Sequence, residues 1–405
     1  MATITRRGLL ASSLAAPALL GAAGARAQGA PLKIGVLCDM SGIYADDTGP
    51  GLVAGVKVAT DELGGKVGGR ALAAVSADDK NKPDIGADIA AQWLDKDGVS
   101  AIVCASASSI TLAVANLCKQ RNKPLLICGS LSADLTGKQC TPMSFQFSLD
   151  TYAGPKSVIA PTIADGAKSW FIINVDYAYG VSLRDEGVKF IEANGGTVLG
   201  TTSFPLGSTD FASPLLQARA SGAQAIALAC GGTDWSNLCK QANEFGITKG
   251  GQKLVTLTGG INEIQAVGGD QCEGMIASAP FYWDLDDNSR AFAAKFRAHH
   301  GGRFPNWQQA NGYSSVMHWA KAAAAGGDDG ARIGEIMRST KVKDLLIDNA
   351  SIRADGQVMR PTYLLKVKRE TAPNRADIFN LVSTLSAEQS WRPASESACA
   401  ALQPA

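Results

Sequence analysis

The sequence predicts an α/β protein with two doubly wound parallel-sheet lobes. Three observations lead to this prediction. Short apolar segments alternate with longer amphipathic ones, the alternation occurs in two consecutive series, and 405 residues suffice for two domains. Because each β-α-β unit packs its helix against parallel strands, two series predict two sheets, each covered by helices on both faces.

The apolar periodicity assigns most elements. In the first series we predict strands over 32–38, 71–77, 101–104 and 125–128, with helices over 51–63, 85–94 and 111–121. In the second we predict strands over 170–175, 197–204, 225–230 and 254–257, with helices over 182–194, 211–221 and 237–245. The region 289–337 is mostly helical in pattern, and strand-like segments follow at 351–353 and 363–368.

The first 27 residues are typical of an export signal. Arg6-Arg7 precedes an uncharged stretch over 8–25, and Ala25-Arg26-Ala27 has the small-x-small pattern of a cleavage site. The segment around Arg6-Arg7 also resembles the twin-arginine pattern, so export by that route is a second expectation. A buried N-terminal helix is the alternative. No later segment has about 18 consecutive apolar residues, the length a membrane span needs.

Charge and cysteine usage exclude several classes of function. A net charge of +1, without a basic run interleaved with aromatics, argues against nucleic acid as a partner. The nine cysteines contain no CxxC pair, so we predict neither a zinc site nor any other metal or cofactor. In an oxidising compartment disulfides are expected, and an odd number leaves at least one thiol unpaired. Their connectivity is not readable from the spacing.

The chain lacks the usual signatures of catalysis. It has three histidines, no GxSxG elbow, no HExxH and no dinucleotide fingerprint after the first strand. Asp78-Asp79 follows a predicted strand, and we interpret this pair as a solvated loop rather than as paired catalytic carboxylates. The sequence therefore predicts a protein that is not an enzyme.

Serines cluster after two neighbouring strands of the first series. In open parallel sheets ligands bind beyond the carboxyl ends of the strands, and free N–H groups at a helix start suit an anion. Each serine could instead be a helix N-cap without a ligand. The presence of two clusters favours a ligand site formed by Ser106, Ser108, Ser109, Ser130 and Ser132.

Aromatic residues follow other strand ends and chain crossings. Tyr44, Tyr152, Tyr179 and Trp307 are predicted to enclose the body of the ligand, because rings form apolar walls and tyrosine hydroxyls can orient a solute. Residues of the second series around Gly232 and Asp234 are expected to contact the ligand only after the lobes close.

The chain resembles the branched-chain-amino-acid-type periplasmic binding proteins of ABC transporters. The segments that carry the resemblance occur in the family's order through nearly all of the chain after the signal: 34–42, 108–109, 134–138, 176–180 and 245–247. Residues 39–46 are similar to a branch often linked to aromatic acids.

This resemblance implies a type I periplasmic binding fold, in which three crossings join two lobes that close like a hinge. We expect residues 31–150 and 281–353 to form lobe I, 151–280 and 354–385 to form lobe II, and 386–405 to form a C-terminal tail. The family's carboxylate-binding serine falls on Ser108, and its carboxylate-binding amides fall on Gly129 to Leu131, where Ser130 and Ser132 add hydroxyls. Its second-lobe tyrosine matches Tyr179.

The chain departs from the family's amino-acid binders at one position. They carry an acidic residue, which pairs with the ligand's ammonium, near the strand end that here reads Thr258-Gly259-Gly260. Because a buried ammonium without a paired charge is costly, the glycines favour a carboxylate without an α-amine, such as an aromatic acid. Asp234 or Glu263 could substitute, and then the ligand would be an amino acid or an amide.

Together these features predict a periplasmic receptor that binds a small carboxylate-bearing solute and delivers it to the permease and ATPase subunits of an ABC importer. The receptor is expected to act as a monomer. A ligand-sensing module for a signalling partner is the alternative, since the same fold serves both roles.

Overall fold

The computed structural model describes residues 30–369 and 376–403. The predicted export signal over residues 1–27 lies outside the described residues. Within them, no helix combines the length and apolar character needed to cross a membrane.

The first lobe is built on a six-stranded sheet in the order β2-β3-β1-β4-β5-β6. All of its pairs are parallel except β2 with β3. The strands are β1 Leu32–Cys38, β2 Lys66–Val67, β3 Arg70–Asp78, β4 Ala101–Ala105, β5 Leu125–Ile127 and β6 Ser144–Gln146. Helices α1 Gly49–Glu62, α2 Pro83–Asp95 and α3 Ser108–Gln120 connect them.

The second lobe is built on a four-stranded parallel sheet in the order β10-β9-β7-β8. Helix α4 Ala153–Ala164 leads into β7 Ser169–Val175, followed by α5 Ala178–Ala193, β8 Thr197–Phe204 and α6 Ala212–Ala220. The series continues with β9 Ala225–Ala229, α7 Gly232–Glu244, β10 Lys253–Thr256, and the short helices α8 Ile261–Val267 and α9 Gly269–Cys272.

The remaining elements return to both lobes. Strand β11 Ile276–Ala279 precedes the helices α10 Asp287–His299, α11 Trp307–Gly326 and α12 Gly330–Ser339. Then come β12 Ser351–Ile352, β13 Val358–Met359, β14 Thr362–Val367, β15 Phe379–Leu385 and α13 Ala387–Ser390. Strands β11, β14 and β15 form an antiparallel sheet, and β12 pairs with β13.

The predicted fold class is confirmed: two parallel sheets follow each other along the chain with helices between their strands. Strand β1 illustrates why. Every residue of this strand except Lys33 is buried, and it pairs with β3 on one side and with β4 on the other. A strand covered on both faces reads as a continuous apolar run, which is how Leu32–Cys38 appears in the sequence.

Helix α11 packs closely on α1, and this contact positions one wall of the cleft. A Cβ atom on Gly55 would lie 2.1 Å from the carbonyl oxygen of Gln309, so only glycine permits the approach. The contact brings the start of α11 beside the loop between β1 and α1.

Three helices begin three to five residues earlier than predicted. Helix α3 starts at Ser108, α5 at Ala178 and α7 at Gly232, whereas the apolar periodicity begins at residues 111, 182 and 237. Their first turns carry small and polar residues, which do not contribute to an apolar stripe. These first turns therefore belong to the helices and lie at the strand ends where ligands bind.

The C-terminal tail is fastened to both lobes. A disulfide joins Cys140 of the first lobe to Cys399. Arg392 donates to Glu186 on α5 of the second lobe at 2.7 Å. The other seven cysteines are buried thiols without a disulfide.

Candidate ligand-binding cleft

A cavity lies between the lobes, at the carboxyl ends of the strands of both parallel sheets. The empty space within it is about 510 Å³, including the part open to solvent. Loops after β1, β4 and β5 line it from the first lobe, loops after β7, β9 and β10 line it from the second, and α11 closes one side. The lining residues are Tyr44, Asp47, Thr48, Ala105, Ser106, Ala107, Ser108, Gly129, Ser130, Leu131, Tyr177, Tyr179, Gly231, Gly232, Thr258, Gly259, Gly260, Glu263, Trp307 and Gln308.

The start of α3 forms an anion-binding wall. No side chain caps this helix, and its first residue, Ser108, is buried at the cavity. The Ser108 hydroxyl oxygen accepts a hydrogen bond from the backbone N–H of Ser132 at 3.2 Å, which leaves the hydroxyl proton free to donate. A carboxylate here would meet a hydroxyl donor and the positive end of the helix dipole.

Two neighbouring serines are committed to the first lobe itself. The Ser130 hydroxyl donates to the carbonyl of Ser106 at 2.7 Å, and the Ser106 hydroxyl donates to the carbonyl of Leu37 at 3.3 Å. Gln146 and Ser148 both donate to the carbonyl of Ser130. These serines line the cavity, but their hydroxyl protons are occupied, so they shape and stiffen the wall.

Four tyrosine and tryptophan rings form the rest of the enclosure. Tyr44 and Tyr177 approach from opposite lobes, and their hydroxyl oxygens lie 2.6 Å apart. Tyr179 donates to the carbonyl of Cys230 at 3.3 Å and contacts the hydroxyl of Thr258. Trp307 is the first residue of α11. Burial raises the pKa of Tyr44, Tyr177 and Tyr179, so all three remain neutral hydrogen-bonding groups.

Gly232 allows the lobes to meet. Its φ of +63° lies in the left-handed region, and a Cβ atom would stand 2.4 Å from the carbonyl oxygen of Ile43 in the first lobe. The next residue, Thr233, donates its backbone N–H to that carbonyl at 3.1 Å. The backbone of α7 thus docks directly on the loop after β1.

The structure brings eight of the twelve predicted site residues to the cavity: Tyr44, Ser106, Ser108, Gly129, Ser130, Tyr179, Gly232 and Trp307. The other four, Ser109, Ser132, Tyr152 and Asp234, lie outside it.

These four side chains are directed elsewhere by local geometry. The Ser132 hydroxyl accepts from the backbone of Asp134, and Ser109 is rotated about 100° around α3 from Ser108. Tyr152 donates to Glu396 of the tail at 3.2 Å. Asp234 accepts from the backbone N–H of Gly207 at 3.0 Å, and burial raises its pKa to about 6.

Two carboxyl groups on the cavity wall were absent from the predicted site. Glu263, in the first turn of α8, accepts from the backbone N–H groups of Gly260 at 3.0 Å and Gly232 at 3.4 Å. Asp47 comes from the loop before α1. Burial raises the pKa of both carboxyls, and for Asp47 the proximity of Glu263 raises it further.

Glu263 lies on the part of the cavity wall where the sequence predicted no acidic residue. The glycines at 259–260 indicated a strand end without an acid. However, α8 begins directly after Gly260, and its first turn returns the Glu263 carboxylate to the same cavity wall. Among the described residues that line the cavity, none is Lys, Arg or His. The wall therefore carries two carboxyl groups and no cationic side chain.

Other lining residues could have been found from the sequence. Tyr177 lies two residues before Tyr179, and Asp47 and Thr48 lie in the loop that contains Tyr44. They could have been identified by considering every residue between a strand end and the next helix.

Across residues 30–369 and 376–403, no three His, Cys, Asp or Glu side chains are grouped as a metal site requires.

The sequence profile of the periplasmic binding protein family matches residues 31–372. The chain belongs to this family. Its members are the periplasmic solute-binding proteins of ABC transporters, which form a class of substrate-binding proteins. This match, together with the branched chain amino acid ABC transporter protein described below, confirms the resemblance to branched-chain-amino-acid-type binding proteins.

Solved structures of similar proteins agree with this family membership. A periplasmic binding protein from Burkholderia mallei is 35% identical, with a TM-score of 0.89 over 92% of this chain and 99% of that chain. A branched chain amino acid ABC transporter periplasmic ligand-binding protein from Burkholderia xenovorans is 34% identical, with a TM-score of 0.81 over 92% of this chain and 100% of that chain.

More distant relatives are named after, or were solved with, different solutes. A Leu/Ile/Val-binding protein homolog from Brucella abortus is 25% identical over 53% of this chain and 54% of its own length, so the chain spans about half the length of this curated relative. A solute binding protein from Rhodopseudomonas palustris, solved with 3,4-dihydroxybenzoic acid, is 20% identical with a TM-score of 0.79 over 88% of this chain and 98% of that chain. At that identity the likeness extends to the fold alone.

Proposed function

We propose that the protein is the solute receptor of an ABC importer and that its ligand is a small zwitterion with a carboxylate and a protonated amine. The observation that carries this proposal is the chemistry of the cavity wall. It combines the free start of α3 with two buried carboxyls and has no cationic side chain among its described lining residues.

The carboxylate of the ligand binds at the first lobe. Ser108 has a hydroxyl proton to donate, and the first N–H groups of α3 have no side-chain cap. Charge-assisted hydrogen bonds of this kind are about twice as strong as neutral ones. The neighbouring backbone from Gly129 to Leu131 supplies further amide groups on the same wall.

The amine of the ligand binds at Glu263. Both carboxylate oxygens already accept backbone N–H groups, which fixes their direction, and each carboxylate oxygen has a second lone pair available. An ammonium at this position would be paired with a charge inside a buried cavity. This arrangement favours an amino acid or a similar zwitterion over a simple carboxylic acid.

A hydroxylated aromatic acid is the second candidate ligand. The observation that favours it is the set of four rings, Tyr44, Tyr177, Tyr179 and Trp307, around the cavity. A phenolic hydroxyl could donate to Glu263 in place of an ammonium. Simple apolar acids fit less well, because they would bring neither a positive charge nor a further N–H or O–H donor to the two buried carboxyls.

As a transport receptor, the protein closes its two lobes on the ligand and does not change the ligand chemically. We infer that the protein is exported to the periplasm, with Arg6-Arg7 favouring the twin-arginine route, and that it acts as a monomer. The closed, liganded form then docks on the permease, and the ATPase drives release. A sensory role for the same closed form would use another docking partner.

The test is a thermal-shift screen with matched pairs of ligands. The pairs are L-alanine and propanoate, L-leucine and 4-methylpentanoate, and L-phenylalanine and 3-phenylpropanoate, with L-glutamine, benzoate and 4-hydroxybenzoate added. A ligand specific for the folded state raises the melting temperature. We expect amine-bearing members alone to shift the transition. Glu263→Gln should abolish the shift, and the exposed control Glu244→Gln should retain it. A shift with the amine-free members would contradict the zwitterion assignment.

A further inference from the structure

The two carboxyl groups of the cavity come from opposite lobes. Asp47 belongs to the loop between β1 and α1 of the first lobe, and Glu263 belongs to α8 of the second. Asp47 is 3% exposed and Glu263 is 8% exposed. Since the residues are carried by different lobes, closure of the cleft brings the two groups together and opening separates them.

Contacts on both sides hold the Asp47 loop in place. From the second lobe, Asn262 donates its side-chain amide to the carbonyl of Asp46. From the start of α11, Asn306 donates to the carbonyl of Asp47 at 2.8 Å. Because Asn262 directly precedes Glu263, the contact that docks the loop also sets the two carboxyls in one cavity.

The surroundings of Asp47 offer little compensation for its charge. Its charged neighbours are Glu263, Asp46 and Arg303, and the guanidinium of Arg303 is already paired with Asp46 at 2.9 Å. The neutral partner is Asn262, and the cavity adds the hydroxyls of Tyr44, Tyr177 and Tyr179. Two like charges at close range in a buried site oppose each other until a proton or a cation intervenes.

We propose that Asp47 and Glu263 form an electrostatic latch that both selects the cationic group of the ligand and couples its binding to closure. The nitrogen of the ligand donates to Asp47 from one lobe and to Glu263 from the other. Without a cation, repulsion between the carboxylates favours the open cleft. The ligand-binding half of this proposal rests on the proposed function, whereas the repulsion in the empty protein does not.

Two carboxylates on opposite lobes restrict the class of ligand more narrowly than a single carboxylate on one wall would. A nitrogen that contacts two carboxylates needs at least two N–H donors and a positive charge, so primary ammonium, secondary ammonium and amidinium groups qualify. A quaternary ammonium has no N–H to donate, so betaine-type zwitterions are excluded. The expected ligands are small carboxylates with a primary amine, a secondary amine or an amidine-type group.

The first test needs no ligand. The distance between spin labels, one on each lobe, is measured in the ligand-free protein by pulsed electron resonance at pH 7.5 and pH 5. We expect Asp47→Asn to shorten the interlobe distance at pH 7.5, with a smaller difference from wild type at pH 5. The matched control is Asp46→Asn, which removes the same charge from a neighbouring side chain that is 68% exposed. Equal distances in Asp47→Asn and wild type at pH 7.5 overturn the latch.

The second test measures affinity by titration calorimetry with L-leucine and 4-methylpentanoate. We expect Asp47→Asn to weaken L-leucine binding by about tenfold or more and to leave 4-methylpentanoate binding equal or stronger. If Glu263→Gln weakens L-leucine binding and Asp47→Asn does not, the latch is wrong and the proposed function stands. If the wild type binds only amine-free acids, the zwitterion assignment fails. The interlobe distances measured without ligand then decide whether the two carboxylates repel each other.

Discussion

The hydroxyl oxygens of Tyr44 and Tyr177 lie 2.6 Å apart across the cleft, one tyrosine from each lobe. The loop after β1 also docks on α7, where Thr233 donates to the carbonyl of Ile43 at 3.1 Å. Direct contacts between the lobes therefore accompany the closed cavity. They make the closed state sensitive to substitutions that do not touch the ligand's charged groups.

The tyrosine contact should contribute modestly to ligand affinity. Tyr177→Phe removes one interlobe hydrogen bond, and such a bond contributes about 0.5–1.5 kcal/mol. We therefore expect calorimetry to give a dissociation constant that is roughly two- to tenfold larger. In a double-mutant cycle with Tyr44→Phe, the second substitution should add little to the first. Tyr363→Phe on β14 serves as the control and should bind like wild type. Additive losses from the two cleft variants would show that the hydroxyls act independently.

Gly232→Ala should prevent full closure. The added Cβ would meet the carbonyl of Ile43 at 2.4 Å, and L-residues are strained at a φ of +63°. The matched control is Gly246→Ala, which has a φ of +68° and nothing within 4 Å of the new Cβ. Both variants should lose about 1–2 kcal/mol of folding stability from backbone strain. Only Gly232→Ala should also lose at least tenfold in affinity, and equal affinities would disprove the docking role.

Ser108→Ala should weaken the binding of any carboxylate ligand. A hydrogen bond to a charged group contributes about 1.5–3 kcal/mol, so the expected loss is about ten- to a hundredfold in affinity. Ser109→Ala, one position along α3 and outside the cavity, is the control. Ser130→Ala should act mainly on stability, because its hydroxyl donates to Ser106 rather than to the cavity. Unchanged affinity in the Ser108→Ala, Ser130→Ala double variant would remove the carboxylate site from this wall.

Asp150 should make folding stability depend on pH. Burial raises its pKa to about 6, although its carboxylate accepts from the backbone of Tyr152 and Ala153. The folded state therefore holds the proton more tightly than the unfolded state. The resulting stability is fully present below about pH 4 and is lost as the pH rises through about 6.

Asp150→Asn keeps the acceptor oxygen and removes the charge. Relative to wild type, this variant should gain stability as the pH rises from 4 to 7.5, by an amount on the order of 2–3 kcal/mol. Urea unfolding at several pH values measures the difference. Asp348→Asn, whose side chain is 91% exposed, provides the control and should give a flat difference. A flat difference for Asp150→Asn as well would show that its carboxylate is solvated.

The disulfide between Cys140 and Cys399 should contribute to stability. It closes a loop with a sequence separation of 259 residues, and removal of a native disulfide typically costs about 2–5 kcal/mol. Adding a reductant should lower the melting temperature of wild type and leave the Cys140→Ser, Cys399→Ser double variant unchanged. Reductant sensitivity that persists in the double variant would indicate another disulfide.

The periodicity of apolar residues along the chain was sufficient to predict most of the fold. The bounds of β1 and β8 agree with prediction, because β1 is a continuous buried run and β8 follows the turn at Gly195-Gly196. Helix α4 was not assigned from the sequence. It contains Pro155 and Pro161, which ordinarily discourage a helical interpretation, although α4 accommodates both.

The candidate site was predictable where it depends on strand ends and less so where it depends on closure. Ser108 and Tyr179 lie three and four residues beyond the ends of parallel strands, so their positions could be inferred from the order of elements. Glu263 reaches the cavity because α8 begins directly after Gly260. Asp47 faces Glu263 only because two lobes meet there. The first relationship depends on where a short helix begins, and the second is not encoded in any local spacing.

The most direct test of the zwitterion site is a crystal structure with the zwitterion that gives the largest thermal shift. We expect one ligand in the cleft, with its carboxylate within hydrogen-bonding distance of the Ser108 hydroxyl and its amine nitrogen within that distance of the Glu263 carboxylate. A ligand whose carboxylate binds away from α3, or whose amine makes no contact with Glu263, would contradict it.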